Sequence, residues 1–268
     1  MEKRPIGIFD SGVGGLTVFK AIRNKIPGDE IIYFGDTARV PYGPKSDNTI
    51  KEFSLQNARF LLHHNVKIII IACNTSSAIA LDYLQSKISI PIIGVIEPGA
   101  ATAVKSTKSS TIGIIGTEGT IRSKAYEQAI LHLDKQARVF SKACPLLVSL
   151  AEEGWEKHIT TKMIVEEYLR ELIDKGIDTL VLGCTHYPIL KEVIQKVVGE
   201  DIFLVDSAEA ISEKLTDILN IHNAISAGEN KFYVSDNEEK FKKIANRILN
   251  TNITSLVKVK LGESWYIE

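Results

Sequence analysis

Val66-Lys67-Ile68-Ile69-Ile70-Ile71-Ala72-Cys73-Asn74-Thr75-Ser76-Ser77-Ala78 is the stretch whose reading decides the fold. Its four isoleucines run unbroken from Ile68 to Ile71. A continuous β-branched run bounded by polar residues reads as a strand buried on both faces, as in a parallel sheet. The side chains shrink at Ala72, and beyond Ser76 the residues Leu81 and Leu84 fall at helical spacing. Cys73 therefore stands where a buried strand hands over to a helix. Open α/β sheets bind ligands at this end of their strands. A helix start also offers free backbone N–H groups and the positive end of the helix dipole. A cysteine so placed is expected to have its thiol pKa lowered from about 8.5.

The stretch has an echo in Asp178-Thr-Leu-Val-Leu-Gly-Cys184-Thr185-His186-Tyr-Pro-Ile-Leu190. An apolar run again ends in a small residue, a cysteine and a threonine, 111 residues later. Ile6-Gly-Ile-Phe-Asp10-Ser11-Gly12 is likewise echoed by Ile112-Gly-Ile-Ile-Gly-Thr-Glu-Gly119 at an offset of 106. Two similar offsets imply two related α/β halves, each presenting a cysteine at a strand end.

The remaining elements extend the pattern. Strands are expected at Ile6–Phe9, Glu30–Gly35, Ile92–Val95, Thr111–Ile115, Arg138–Ala143, Phe203–Val205 and Lys231–Val234. Helices are expected through Leu16 to Ile22 and over Asp47–His64, Thr120–His132, Leu146–Glu153, Thr160–Lys175 and Ala208–Leu219, with one more after the Cys184 strand, ending at Val198. Glu97-Pro98-Gly99 reads as a crossing between halves. Asp236 with Glu239 resembles a capping box opening the last helix, and Leu256 to Leu261 alternates like a half-exposed strand. Strands alternating with helices argue for doubly wound parallel sheets. The repeat places the second half at about residues 98–207 and leaves open to which half residue 208 onward belongs.

Composition narrows the function classes. The 268 residues suffice for one large domain or two small ones. With 32 basic and 33 acidic residues the net charge is −1, which gives no electrostatic footprint for nucleic acid or an acidic membrane surface. No apolar stretch before Asp10 has signal-peptide length, and none elsewhere approaches the ~20 residues that span a bilayer. Three widely spaced cysteines do not make a disulfide framework, so a reducing cytoplasm is expected.

Each chemical constellation has a plainer reading. Asp10-Ser11-Gly-Val-Gly-Gly15 is neither a Rossmann fingerprint nor a P-loop. It is a tight strand-helix turn or a cradle for an anion or amino acid. Cys73 and Cys184 are either small buried hydrophobes or a working pair. A redox pair is disfavoured because Cys-x-x-Cys is absent. A zinc site of Cys73, Cys184 and His186 lacks a fourth ligand and metal-ligand spacing. Two thiols on opposite sides of one carbon would serve as base and acid. Cys144, before a proline and without a counterpart in the repeat, reads as packing. His186 is placed to poise Cys184 or to bind a carboxylate. Glu152 and Glu153, taken alone, read as solvated helix-end charges.

Taken together, Ile8-Phe-Asp-Ser-Gly-Val-Gly-Gly-Leu-Thr-Val18, Asp36-Thr-Ala-Arg-Val-Pro-Tyr-Gly43, Ala72-Cys-Asn-Thr75 and Gly183-Cys-Thr-His-Tyr-Pro188 resemble the cofactor-independent glutamate racemases of the aspartate/glutamate racemase family. The order and spacing of these segments agree along nearly the whole chain. The resemblance implies two pseudo-symmetric doubly wound domains facing each other across a cleft, residues 1–97 with 208–268 and residues 98–207. It implies Cys73 and Cys184 as the acid-base pair, Cys73 taking the proton of D-glutamate and Cys184 that of L-glutamate. Asp10, His186 and Glu152 are implied as assisting groups. Asp10, Ser11, Tyr42, Gly43, Asn74, Thr75, Thr185 and His186 are implied to contact substrate. Ser149 and Ala151 depart from the proline and valine common around Glu152 in the family. The resemblance further implies no metal or organic cofactor, a bacterial cytoplasmic homodimer, and D-glutamate made for peptidoglycan. Racemisation of aspartate or a related small acid is the nearest rival. A non-catalytic binder of acidic amino acids is the rival of another class, against which the retained thiol pair speaks.

Overall fold

The computed structural model describes residues 4–219 and 229–260. Two fully parallel sheets form its frame, as the alternation of strands and helices predicts. The first has six strands: β1 Ile6–Asp10, β2 Ile31–Gly35, β3 Ile68–Ile71, β4 Ile92–Gly94, β9 Asn230–Val234 and β10 Leu256–Lys258, in the order β10-β9-β2-β1-β3-β4. The second has four: β5 Thr111–Gly116, β6 Arg138–Ala143, β7 Thr179–Gly183 and β8 Phe203–Asp206, in the order β6-β5-β7-β8. The chain leaves the first sheet after β4 and rejoins it at β9.

The two-residue period of a strand sorts side chains between the layers. Ile6, Ile8, Ile68, Ile70 and Tyr33 pack on one side of the first sheet with Leu16, Phe19 and Ile22 of α1 (Leu16–Lys25). Ile211 and Leu215 of α10 (Ser207–Leu219), and Phe241 and Ile244 of α11 (Glu238–Leu249), join the same layer. Phe9, Phe34, Ile69 and Ile71 face the other way, onto α2 (Asp47–His63) and α3 (Asn74–Gln85). Ile8 and Ile70 are wholly buried, and trimming either to alanine would cost ~2–5 kcal/mol.

In the second sheet, Ile115, Leu180, Leu182 and Leu204 meet α7 (Leu146–Glu153), α8 (Ile159–Asp174) and α9 (Lys191–Val198). Ile112, Ile114, Val181 and Val205 meet α4 (Ile96–Ser106) and α6 (Ala125–Leu133).

Glu97-Pro98-Gly99, expected as a crossing, forms the first turn of α4 between β4 and β5, where a proline sacrifices no intrahelical hydrogen bond. Three local expectations change. The helix expected over Thr120–His132 is two, α5 (Glu118–Ser123) and α6, parted by Lys124 at φ 57°. The last helix is capped by Asn237, whose side chain accepts from the Lys240 N–H, and not by Asp236. The final strand stops at Lys258, and Leu261 lies outside the described residues. Among the described residues no helix is long and apolar enough to cross a membrane.

Candidate active site

Asp10 ends β1, Cys73 follows β3 by one residue past Ala72, and Cys184 follows β7. The carboxyl ends of strands from both sheets thus meet at one narrow cavity of about 30 Å³. Ser11, Tyr42, Gly43, Cys73, Asn74, Thr75, Cys184, Thr185 and His186 line it, with Val40, Pro41, Thr117 and Val148. Asp10 and Glu152 stand one contact behind. The larger cavity of about 640 Å³, lined by Lys20, Pro188, Glu209 and Arg247 among others, contains neither thiol. Both thiols line the smaller one.

Close backbone approach lets the sheets meet there. A Cβ on Gly14 would lie 2.5 Å from Thr185 Oγ1 and 2.6 Å from the His186 ring. A Cβ on Gly43 would lie 2.9 Å from Thr117, and one on Gly119 equally close to the Gly43 carbonyl. The glycine-rich turn after β1 is thus a seat for Thr185-His186, which neither reading of the sequence foresaw.

On the first side, Asp10 is fully buried. Its Oδ2 accepts from the Gly12 N–H at 2.9 Å and its Oδ1 from Thr185 Oγ1 at 3.4 Å. Burial raises the Asp10 carboxyl, against the lowering effect of the His186 charge and of the Gly12 and Gly15 N–H groups. Cys73 differs from the expectation of a lowered thiol. Burial, then the neighbouring Asp10 charge, push it up to about 11, although the Ser76 N–H and the Ser76 and Ser11 hydroxyls pull the other way. Desolvation outweighs the helix start at this position.

On the second side, His186 Nδ1 lies 3.8 Å from Cys184 Sγ, and Nε2 lies 3.2 Å from Glu152 Oε1. Burial opposes a charge on His186, but the hydrogen bonds and charges of Cys184 and Glu152 prevail and push it up to about 10. The same hydrogen bond holds Glu152 at about 2, against burial, with the His186 charge and Lys240 adding to it. Glu152 is not the solvated charge its position in sequence suggests: its side chain is 16% exposed. The helix expected after the Cys184 strand ends at Val198 as read but starts late. A 3-10 turn, Tyr187–Leu190, carrying Pro188, intervenes before α9 begins at Lys191.

The remaining lining residues are rich in hydrogen-bond donors. Asn74 Oδ1 accepts from the Tyr126 hydroxyl at 2.8 Å, while Asn74 Nδ2 is buried without a partner, a donor left over for an anionic ligand. Thr75 Oγ1 lies 2.8 Å from Thr117 Oγ1 and 3.3 Å from Thr120 Oγ1. The Tyr42 hydroxyl donates to Asp36 and accepts from Asn57 Nδ2, so it is already engaged within the first half.

Thr117 and Val148 are lining residues that motif reading missed. The internal echo held the signal for Thr117, which occupies the place of Ser11 at the offset of 106. Val148 carries no such signal. Cys144 is buried away from the cavity with its Sγ toward the Lys142 carbonyl at 3.7 Å. Among the described residues no group of three or more His, Cys, Asp or Glu is placed to hold a metal ion.

The Asp/Glu/hydantoin racemase family profile matches residues 16–215. The chain is 48% identical over 265 residues to a glutamate racemase of Geobacter metallireducens, covering 97% of this chain and 98% of that one. It is similar to the crystal structure of a glutamate racemase isoform from Bacillus anthracis, with TM-score 0.92, 41% identity and coverage of 97% and 99%. It is also similar to a glutamate racemase from Francisella tularensis in complex with D-glutamate, with TM-score 0.90, 42% identity and coverage of 97% and 98%.

Proposed function

The chain belongs to the Asp/Glu/hydantoin racemase family, and from that premise we propose that it interconverts L- and D-glutamate by proton transfer between two cysteines, without a metal or organic cofactor. The observation that carries the reading is that Cys73 and Cys184, from different sheets, line one cavity. Each has its own acid-base neighbour, Asp10 for the first and His186 with Glu152 for the second.

The reaction needs one thiolate and one thiol. The thiolate takes the α-proton and becomes a thiol. The electron pair left behind moves into the carboxylate, making it dianionic, and the opposite thiol returns a proton to the other face. The pair ends with its protons exchanged. Cys73, held up to about 11, begins as the proton donor, and His186 Nδ1 lies 3.8 Å from Cys184 Sγ on the opposite side. That arrangement suits attack on L-glutamate by Cys184. The unpartnered Asn74 amide, the Ser11, Thr75, Thr117 and Thr185 hydroxyls and the backbone of Tyr42-Gly43 would hold the charge that develops on the substrate. At about 30 Å³ the cavity has room for only about two waters. An amino acid therefore enters only as the two halves part.

In this reading residues 1–97 with 208–268 make one domain and 98–207 the other, and the enzyme is a bacterial cytoplasmic homodimer that supplies D-glutamate for peptidoglycan. Circular dichroism of L-glutamate, D-glutamate and both aspartates, each incubated with the pure protein, tests the activity. Both glutamate signals should decay to zero while the aspartate signals persist. Faster decay of aspartate would move the assignment to the rival substrate. Binding of glutamate without decay would leave a non-catalytic binder.

A further inference from the structure

Lys240 lies on α11, which packs on the first sheet, yet its Nζ donates at 2.9 Å to Glu152 Oε2 on α7 of the second half. Seven residues on, Arg247 donates Nη2 to the carbonyls of Ala151 and Glu152, the latter at 3.0 Å, and its Nε lies 3.5 Å from Glu156 Oε1. Residues seven apart share a helix face, and the last carbonyls of a helix have no partner within it. One face of α11 therefore grips the C-terminal end of α7 at two points. Gly154 makes room for the second: at φ 78° it follows α7, and a Cβ there would lie 2.5 Å from Arg247 Nη1.

Both oxygens of Glu152 are thereby engaged, Oε2 by Lys240 and Oε1 by His186. A glutamate at a helix end otherwise retains several rotamers, and orienting it costs side-chain entropy. We propose that Lys240 is a positioning residue for the Cys184 side of the site. From the opposite half of the molecule it fixes the plane of the Glu152 carboxylate, so that Oε1 stays on His186 Nε2 and Nδ1 stays turned to Cys184. The row Lys240, Glu152, His186, Cys184 is complete only while α11 and α7 are in contact. The setting of the second thiol thus depends on the same approach of the halves that encloses the substrate.

This inference rests on the racemase reading, and the experiment separates the two. Racemisation of L-glutamate is followed by circular dichroism for the wild type, Lys240→Met, Lys240→Arg, Glu152→Gln and the Lys240→Met/Glu152→Gln double variant. Lys240→Met should lower kcat about 5- to 20-fold with KM within about twofold. Lys240→Arg, which keeps a cation in reach, should recover most of that loss. Adding Lys240→Met to Glu152→Gln should cost at most about a further twofold, because two residues acting through one contact are not additive. A Lys240→Met enzyme with unchanged kcat, no recovery by arginine, or losses that multiply in the double variant would each overturn the inference. A wild type inactive on glutamate would overturn the racemase reading beneath it.

Discussion

The Tyr42 hydroxyl donates to the buried Asp36 carboxylate, which also accepts from Arg39 Nε at 2.7 Å and Ser235 Oγ at 2.9 Å. Asn57 Nδ2 completes the group by donating to the Tyr42 oxygen at 3.1 Å. This network anchors the segment that brings Gly43 to the cavity, and it engages the phenol of Tyr42, a residue that the motif resemblance assigns to substrate contact.

Tyr42→Phe is accordingly expected to act on stability and not on affinity. Removing a donor to a buried carboxylate should cost about 1–3 kcal/mol, read from urea midpoints. KM for glutamate should stay within about twofold of wild type. A rise in KM of tenfold with unchanged stability would return the hydroxyl to the substrate.

Gly14→Ala tests the seat between the halves. Its Cβ would fall 2.5 Å from Thr185 Oγ1 and 2.6 Å from the His186 ring, so something has to give. Overpacking of this kind costs about 1–3 kcal/mol. Because the displaced residues line the cavity, kcat/KM should fall at least about tenfold. Full activity in Gly14→Ala would mean that Thr185 and His186 tolerate displacement.

The legible parts of the sequence were those fixed by short-range pattern. Ile68–Ile71 and Thr179–Gly183 are strands because continuous apolar runs suit a strand buried on both faces, and the thiols follow from where those runs end. Environment was not legible. Cys73 looks like a lowered thiol from its place at a helix start, but the surrounding burial reverses the direction. Glu152 looks solvated until α11, 88 residues further along the chain, is packed against it. Long-range packing of that kind leaves no periodic trace.

Cys144→Ala should leave turnover within a few-fold of wild type at a cost of roughly 1 kcal/mol. The thiol is buried, pushed up to about 12 by burial, and absent from the cavity wall. Activity lost as completely as in Cys73→Ala would show that the third thiol takes part in the reaction.

The His186–Glu152 pair should give stability a two-sided pH dependence. Glu152, lowered to about 2, contributes stability that is present above its unfolded value near 4.5 and is lost as pH falls through about 2. His186, raised to about 10, contributes stability that is complete below its unfolded value near 6.5 and is lost as pH rises through about 10. Urea midpoints of the wild type should therefore decline between about pH 6.5 and 10, and those of His186→Asn should decline less. Parallel curves for the two proteins would remove His186 as the source.

The two thiols are expected to divide the enantiomers between them. If they flank the substrate carbon, each serves one enantiomer as base, Cys73 for D-glutamate and Cys184 for L-glutamate. The two enantiomers are equal in free energy, so kcat/KM must be equal in the two directions, and losing either thiol has to abolish both together. Steady-state racemisation cannot then say which thiol serves which face, but isotope exchange can. In D2O, Cys184→Ala retains the thiol assigned to D-glutamate and should wash deuterium slowly into D-glutamate without forming the L isomer. Cys73→Ala should do the reverse. Exchange should be far slower than wild-type turnover, because each missing sulfur also shapes the charge around the carbanion. NMR of the α-proton over hours gives the reading. Equal exchange into both enantiomers by either single variant would mean that one mobile base reaches both faces, and the two-cysteine assignment would fall.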